Sequence, residues 1–266
     1  MSVRYSLCLR ELLVVLLLML AACSGESNQT QPVTTTTNAG TSTAPPAKEV
    51  GQRNNTLVRF IHAVPGLAAL DLFVNDIKVI GEARYKAVTP YSELTADTQA
   101  FRLRLAGQEG AEPLAEEKES FGTGKHYTVI AVPTSATMIF SKDAGQNAQL
   151  RFLGDDLVAP ASGKTRLRVI QTSPDLNEVD VFVTDHSEAL LKGVEFGADT
   201  KYAEFEPVSG TLEVRRAGEN IATLTVPNVR FEAGKIYTVL VIGRTKGTAK
   251  LESVIVEDQI SMTDSR

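Results

Sequence analysis

At 266 residues the chain has room for one or two domains, and with 43% hydrophobic and 22% charged residues its composition is that of an ordinary globular protein. A formal net charge of −5 offers no basic surface for nucleic acid, and the lack of tryptophan disfavours a cleft that stacks on sugar rings. Both cysteines, Cys8 and Cys23, lie near the start, so the chain from Ser24 onward holds neither a disulfide framework nor a thiolate metal site.

The chain opens MSVRYSLCLRELLVVLLLMLAACSG. Arg4 and Arg10 precede an apolar run from Leu12 to Leu20, far shorter than the ~20 residues a membrane-spanning helix needs. A charged start, a short apolar core and small residues at its end describe a secretory signal, residues 1–22. The run closes on Leu20-Ala21-Ala22-Cys23, which resembles the lipobox of bacterial lipoproteins. That resemblance implies cleavage before Cys23, lipidation of its thiol and usually acylation of its new amine. Two or three acyl chains hold a protein stably on a bilayer where one does not. Ser24 after the cysteine favours the outer membrane in a diderm bacterium. Residues 23–55 are rich in Ser, Thr, Asn, Gln, Gly and Pro and nearly free of large apolar side chains. Such a segment buries too little surface to offset its ordering entropy, so it is read as a tether spanning roughly 30 Å.

A long repeat follows. "RFIHAVPGLAALDLFVND" from Arg59 recurs as "RVIQTSPDLNEVDVFVTD" from Arg168, with eight of eighteen positions identical. Downstream, "GKHYTVIAV" at Gly124 recurs as "GKIYTVLVI" at Gly234. A period this long suits two copies of a domain, over 56–158 and 165–258, joined by the hinge APASGK. Within each copy the pattern is that of strands. "LVRFIHA" alternates; "ALDLFV" sets Leu70, Leu72 and Val74 against Asp71 and Phe73; "AFRLRLAG" sets Phe101, Leu103 and Leu105 against Arg102 and Arg104. "HYTVIAV" and "IYTVLVI" are β-branched and almost wholly apolar, which predicts central strands. Recurring Ala-Gly and Gly-Lys pairs mark the turns. No long helical period occurs after residue 24, and "SEALLKGVEF" has room for one helical turn at most. About seven short strands per copy predict an all-β chain of two tandem immunoglobulin-like β-sandwiches, each closing its own core.

The paired opening motifs, each followed by a tyrosine-containing strand and then "GKxYTV", resemble the DUF4397 family, whose pattern is close to R-V-V-H-A-S-P-D-A-P-x-V-D-V-Y-V-N-G. The resemblance covers roughly residues 57–258. It implies β-sandwich domains on secreted or surface-anchored bacterial proteins, often in tandem, with no assigned enzymatic activity and no established functional residue. Copy one keeps His62 but has Val64-Pro65-Gly66 where the pattern has Ser-Pro-Asp. Copy two keeps Ser173-Pro174-Asp175 but replaces the histidine with Gln171.

Three positions stand as candidate ligand-binding residues: His62, Asp71 and Asp180. His62 lies on an apolar strand face, where a loop-bracing histidine is the competing reading. Asp71 and Asp180 recur between apolar strand residues, a place for a functional acid. The competing reading has them accept backbone hydrogen bonds from the preceding loop or pair with a recurring arginine, Arg59/Arg168 or Arg104/Arg215. His126 enters a strand, and Asp185, His186 and Glu188 share a polar loop at a spacing too generic for a metal. Tyr127 and Tyr237 resemble the packing tyrosine corner of sandwiches. "FGTGKHYT" lacks P-loop spacing, and no G-x-S-x-G occurs. The chain is therefore expected to be a lipid-anchored, non-enzymatic module of the bacterial envelope, engaged in binding, adhesion or structure, with no cofactor. Its expected partners are the membrane through Cys23 and an envelope protein, polymer or host surface. The interdomain groove and the loops at Pro65 and Ser173-Pro174-Asp175 are the candidate surfaces. The alternatives are a hydrolase or metal-dependent enzyme at that groove, and an assembly or chaperone lipoprotein that lends a strand edge.

Overall fold

The computed structural model describes residues 54–134, 148–184, 188–198 and 201–259. The signal segment, Cys8, Cys23, nearly all of the tether, Asp185 and His186 lie outside the described residues. Among these residues the chain is all-β, with sixteen strands and no helix long and apolar enough to cross a membrane.

Copy one contributes two four-stranded sheets. The inner sheet has the order β4-β1-β7-β8, from Ser92–Thr95, Asn55–His62, His126–Pro133 and Ala148–Asp155. The outer sheet has the order β3-β2-β5-β6, from Ile77–Ala83, Leu70–Val74, Thr98–Leu105 and Ala115–Ser120. Copy two repeats the plan. Its inner sheet is β12-β9-β15-β16, from Ala203–Phe205, Thr165–Gln171, Ile236–Ile242 and Glu252–Asp258. Its outer sheet is β11-β10-β13-β14, from Leu191–Glu195, Glu178–Val183, Val208–Arg216 and Ala222–Phe231. The expected pair of sandwiches is thus present, with eight strands in each copy. β1 pairs in parallel with β7, and β9 with β15; the other strand pairs within the sheets are antiparallel. β1 begins at Asn55, so the last two residues assigned to the tether belong to the fold, and Asn54 Nδ2 donates to the Ala96 carbonyl at 2.9 Å. The segment with room for a helical turn forms β11 instead.

Each sandwich closes its own core. Val58 and Phe60 of β1 meet Leu70, Leu72, Phe101 and Leu103 in copy one; Leu167 and Val169 of β9 meet Val179, Val181, Leu212 and Val214 in copy two. The recurring Gly124 and Gly234 sit at positive φ, 68° and 77°, and turn the chain into the central strands. Their N–H groups donate to the Asn55 and Lys164 carbonyls, fastening each turn to the start of the neighbouring strand. Tyr127 and Tyr237 each accept, on the phenol oxygen, a backbone N–H five residues upstream, from Gly122 and Glu232.

A third apolar layer lies between the two inner sheets. Ile61, Ala63, Ile130, Val132 and Leu153 of copy one pack with Ile170, Leu240 and Ile242 of copy two. This layer is why β7 and β15 do not alternate: Val129 and Val239 face their own sandwich, while Ile130 and Leu240 face the sister lobe. The described residues accordingly form one compact unit of four stacked sheets. The two lobes are expected to unfold in a single transition, and Leu240→Ala to lower its stability by about 2–5 kcal/mol by emptying part of the shared layer. Denaturation followed by tyrosine fluorescence and by far-UV circular dichroism checks this: the curves coincide if the lobes depend on one another, and separate into two steps if they do not.

Candidate functional site

The loops that follow β1 and β9 are braced from within. His62 Nδ1 accepts the Val64 N–H at 3.2 Å, which leaves Nε2–H to donate to the Ala68 carbonyl at 3.1 Å. Gln171 takes the same place in copy two: its amide NH₂ donates to the Ser173 and Leu176 carbonyls, and its side-chain oxygen accepts the Ser173 N–H. An imidazole and a carboxamide are interchangeable here because each offers an acceptor and at least one N–H donor at similar reach. His62 is fully buried, and burial pushes its pKa below the ordinary value against the carbonyls of Ala68 and Leu67. Asp175 of Ser173-Pro174-Asp175 is an internal clamp. One carboxylate oxygen accepts Ser173 Oγ–H at 2.7 Å, and the other accepts the N–H and Oγ–H of Thr245 at 2.9 and 2.5 Å. Gly66 at the matching position of copy one has no side chain to make such a clamp.

Asp71 and Asp180 lie on the outward faces of the outer sheets, each opposite a bulge. The β2–β3 register shifts at Leu70/Leu72 and the β10–β11 register at Val179/Val181. The bulged partners, Glu82 and Gly193, sit at positive φ, and their N–H groups donate to Asp71 at 2.7 Å and to Asp180 at 2.9 Å. The carboxylates therefore bind the backbone of the strand that follows, not the preceding loop. Asp71 forms its ion pair with Lys78 at 3.0 Å, in place of a recurring arginine. Burial alone would raise the Asp71 carboxyl, but the Glu82 N–H, Lys78 and the Gly107 N–H hold it below its ordinary value. Arg104 and Arg215 are cross-strand neighbours of Asp71 and Asp180. Their guanidinium groups lie over the rings of Phe73 and Phe182, at 5.9 and 4.1 Å.

The face between the inner sheets, expected as an open groove, is filled. Beside its apolar layer lies a buried polar cluster drawn from both copies. Arg59 Nε–H donates to Thr128 Oγ1 at 2.8 Å in its own copy, and Nη1 crosses to Asp258 of copy two at 2.7 Å. Arg168 Nε–H donates to Thr238 Oγ1 at 3.0 Å, and Nη2 crosses to Asp155 of copy one at 2.5 Å. The threonines donate in turn to Asp155, at 2.8 and 2.9 Å, and to Asp258, at 2.6 Å. Tyr91 and Tyr202 close the two ends: their hydroxyls donate to Asp155 and Asp258, and their rings lie under the Arg59 and Arg168 guanidiniums at 5.0 and 4.8 Å. All four charged side chains are at most 4% exposed. Burial alone would lower the arginine pKa values, but Asp258 and Asp155 overcome it and raise both. Burial, reinforced by the Asp155 carboxylate, pushes the Tyr91 phenol up. Two guanidiniums and two carboxylates cancel in charge, and the cluster acts as a neutral internal lock.

The recurrence of Arg59/Arg168 and Tyr91/Tyr202 is visible in the sequence, whereas their acids were missed there. Asp155 and Asp258 occupy one structural position, opposite His126 and Ile236. They stand 27 and 20 residues from their threonines, so no constant offset relates them. His126 lies outside the ion pairs, edge-on to Tyr91 at 5.2 Å. Among the described residues no group of three or more His, Cys, Asp or Glu is placed to hold a metal ion.

The His62 geometry sets a pH dependence. A histidine with a depressed folded pKa is neutral in the fold and charges on unfolding, so its contribution is complete above about pH 6.5 and is lost as pH falls through that value. His62→Gln, which copies Gln171, is expected to keep the loop bonds and to flatten the fall in stability below pH 6.5; His126, also lowered by burial, leaves a residue of it. His62→Ala, which unpairs the buried Val64 N–H and empties a fully buried position, is expected to cost about 1–3 kcal/mol at pH 7.5. Denaturation at a series of pH values checks both, and an unchanged pH profile for the glutamine variant would contradict the assignment.

No curated protein matches this chain. The family described as Domain of unknown function (DUF4397) matches it twice, over residues 56–182 and 168–265, and each match begins at or near the first strand of a copy. The duplicated opening motifs, the two eight-stranded sandwiches and this double match agree: the chain belongs to the DUF4397 family, with two domains of it in tandem.

Proposed function

We propose that the chain is a lipid-anchored protein of the bacterial cell envelope, held at the outer membrane by acyl groups on Cys23, with its paired lobes carried on a tether as a non-catalytic binding, adhesion or structural module. The anchoring half of this reading rests on Leu20-Ala21-Ala22-Cys23 at the end of a short apolar run. The non-catalytic half rests on one structural observation. Seven polar side chains of the repeat and the loop motifs have partners inside the fold: His62 and Gln171 hold their loops, Asp71 and Asp180 hold bulges, Asp175 holds a turn, and Arg59 and Arg168 hold the sister lobe. A catalytic group needs at least one side free for a substrate.

A surface open to a partner is the outward face of each outer sheet. There Phe73 under Arg104 and Phe182 under Arg215 present the same half-buried aromatic and cation twice. An envelope protein, a polymer or a host-surface molecule is the partner class this reading takes. Fractionation of cells that express the chain and its Cys23→Ser variant tests the anchor. The natural chain is expected in the membrane fraction and the variant in the soluble periplasmic fraction; retention of the variant in the membrane would overturn the anchoring.

A further inference from the structure

We infer that each inner sheet carries a complete self-complementary docking surface, whose occupant is the inner sheet of a second copy of this same domain. In the intact chain the sister lobe fills that role. The seam of a fold needs only that one half complement the other; neither half need complement itself. Here each half carries both a cation and an acid. Copy one presents Arg59 and Asp155 on the two sides of Thr128, and copy two presents Arg168 and Asp258 on the two sides of Thr238. Each arginine reaches across to the other copy's acid, so that one residue meets a second and that residue's counterpart meets the first one's counterpart. This is the contact pattern of an isologous twofold interface. The apolar part follows the same rule. Ile61 and Ile170, Ile130 and Leu240, and Val132 and Ile242 are matching positions, apolar in both copies, and all six are buried in the shared layer.

Among the described residues strand pairing does not cross between the lobes, and each ladder lies within one copy. The contact is therefore made by side chains, with a reach to the backbone from Arg168 to the Gly154 carbonyl, as in an interface between separate domains. The sister lobes have drifted from strict equivalence. Arg168 also donates to Thr128 Oγ1 and to the Gly154 carbonyl, while Arg59 Nη2 is buried without a hydrogen-bond partner. The sister pair is thus the better one, and the short hinge raises its effective concentration further. A pairing of copy one with copy one keeps the two Arg–Asp contacts and the apolar layer.

The hinge allows a test that starts from the folded full chain. Val158, Ala159 and the run Ala161–Gly163 are exposed, so a specific protease site between Ala161 and Ser162 of the Cys23→Ser chain cuts it after folding. One preparation carries a tag on its copy-one half and is mixed, once cut, with an untagged cut preparation. The halves are expected to remain paired on gel filtration. The tag is expected to retrieve, as discrete two-fragment species in native mass spectrometry, untagged copy-two halves and also untagged copy-one halves, the latter at least tenfold less. Halves that separate on cutting, a tag that retrieves copy two alone, or recovery only as larger aggregates would each overturn the inference.

Discussion

Two arginine–aspartate pairs, exchanged between the halves of a duplicated chain and removed from water, are the constraint on which the rest of this structure turns. Burying four charges costs several kcal/mol for each ion, and the loss is offset only where the geometry is close to ideal and the remaining donors and acceptors are filled. Here Thr128 and Thr238 fill the inner valences, Tyr91 and Tyr202 the outer ones, and the aromatic faces shield the guanidiniums, so that of the four charged groups only Arg59 keeps a buried nitrogen, Nη2, without a hydrogen bond. An arrangement so dependent on position tolerates little sliding between the inner sheets. The apolar layer beside it supplies area, and the ion pairs supply the register in which that area is buried.

This division of labour gives the three kinds of recurring residue distinct jobs. Residues such as Phe60 and Val169 face inward and make each sandwich. Arg59, Ile61 and their counterparts face the sister lobe and join the sandwiches. Phe73 and Phe182, on the far faces, do neither and remain for whatever the lobes meet. A tether of polar residues ahead of such a stack would carry a stiff body with its interactive faces outward, which is the form the envelope reading gives to the whole chain.

Much of the fold was legible in the residues, because period-two alternation and duplicated turns are local signals. Leu70, Leu72 and Val74 announce a half-buried strand without any knowledge of their neighbours. The apolar runs "HYTVIAV" and "IYTVLVI" also announced their burial, and centrality within a sheet was a correct but incomplete explanation. A central strand still has two faces, and both are apolar only if another sheet lies beyond. The partner of an acid was not legible. Asp71 sits among recurring arginines in sequence, yet a bulge turns the Glu82 N–H onto it and Lys78 reaches it first. Asp155 and Asp258 escape alignment because the loops before β8 and β16 differ in length, so the residues that join the lobes share a position in space without sharing an offset in sequence.

The claim that these pairs couple the lobes is tested most directly by a double-mutant cycle on Arg168 and Asp155, read by equilibrium unfolding. Arg168→Met and Asp155→Leu each strand a buried charge and are expected to cost about 3–5 kcal/mol, whereas the double variant strands neither and is expected to cost less than their sum by about 2 kcal/mol or more. Costs that simply add would show that the two side chains are neighbours without being partners, and the lock between the lobes would have to be sought elsewhere.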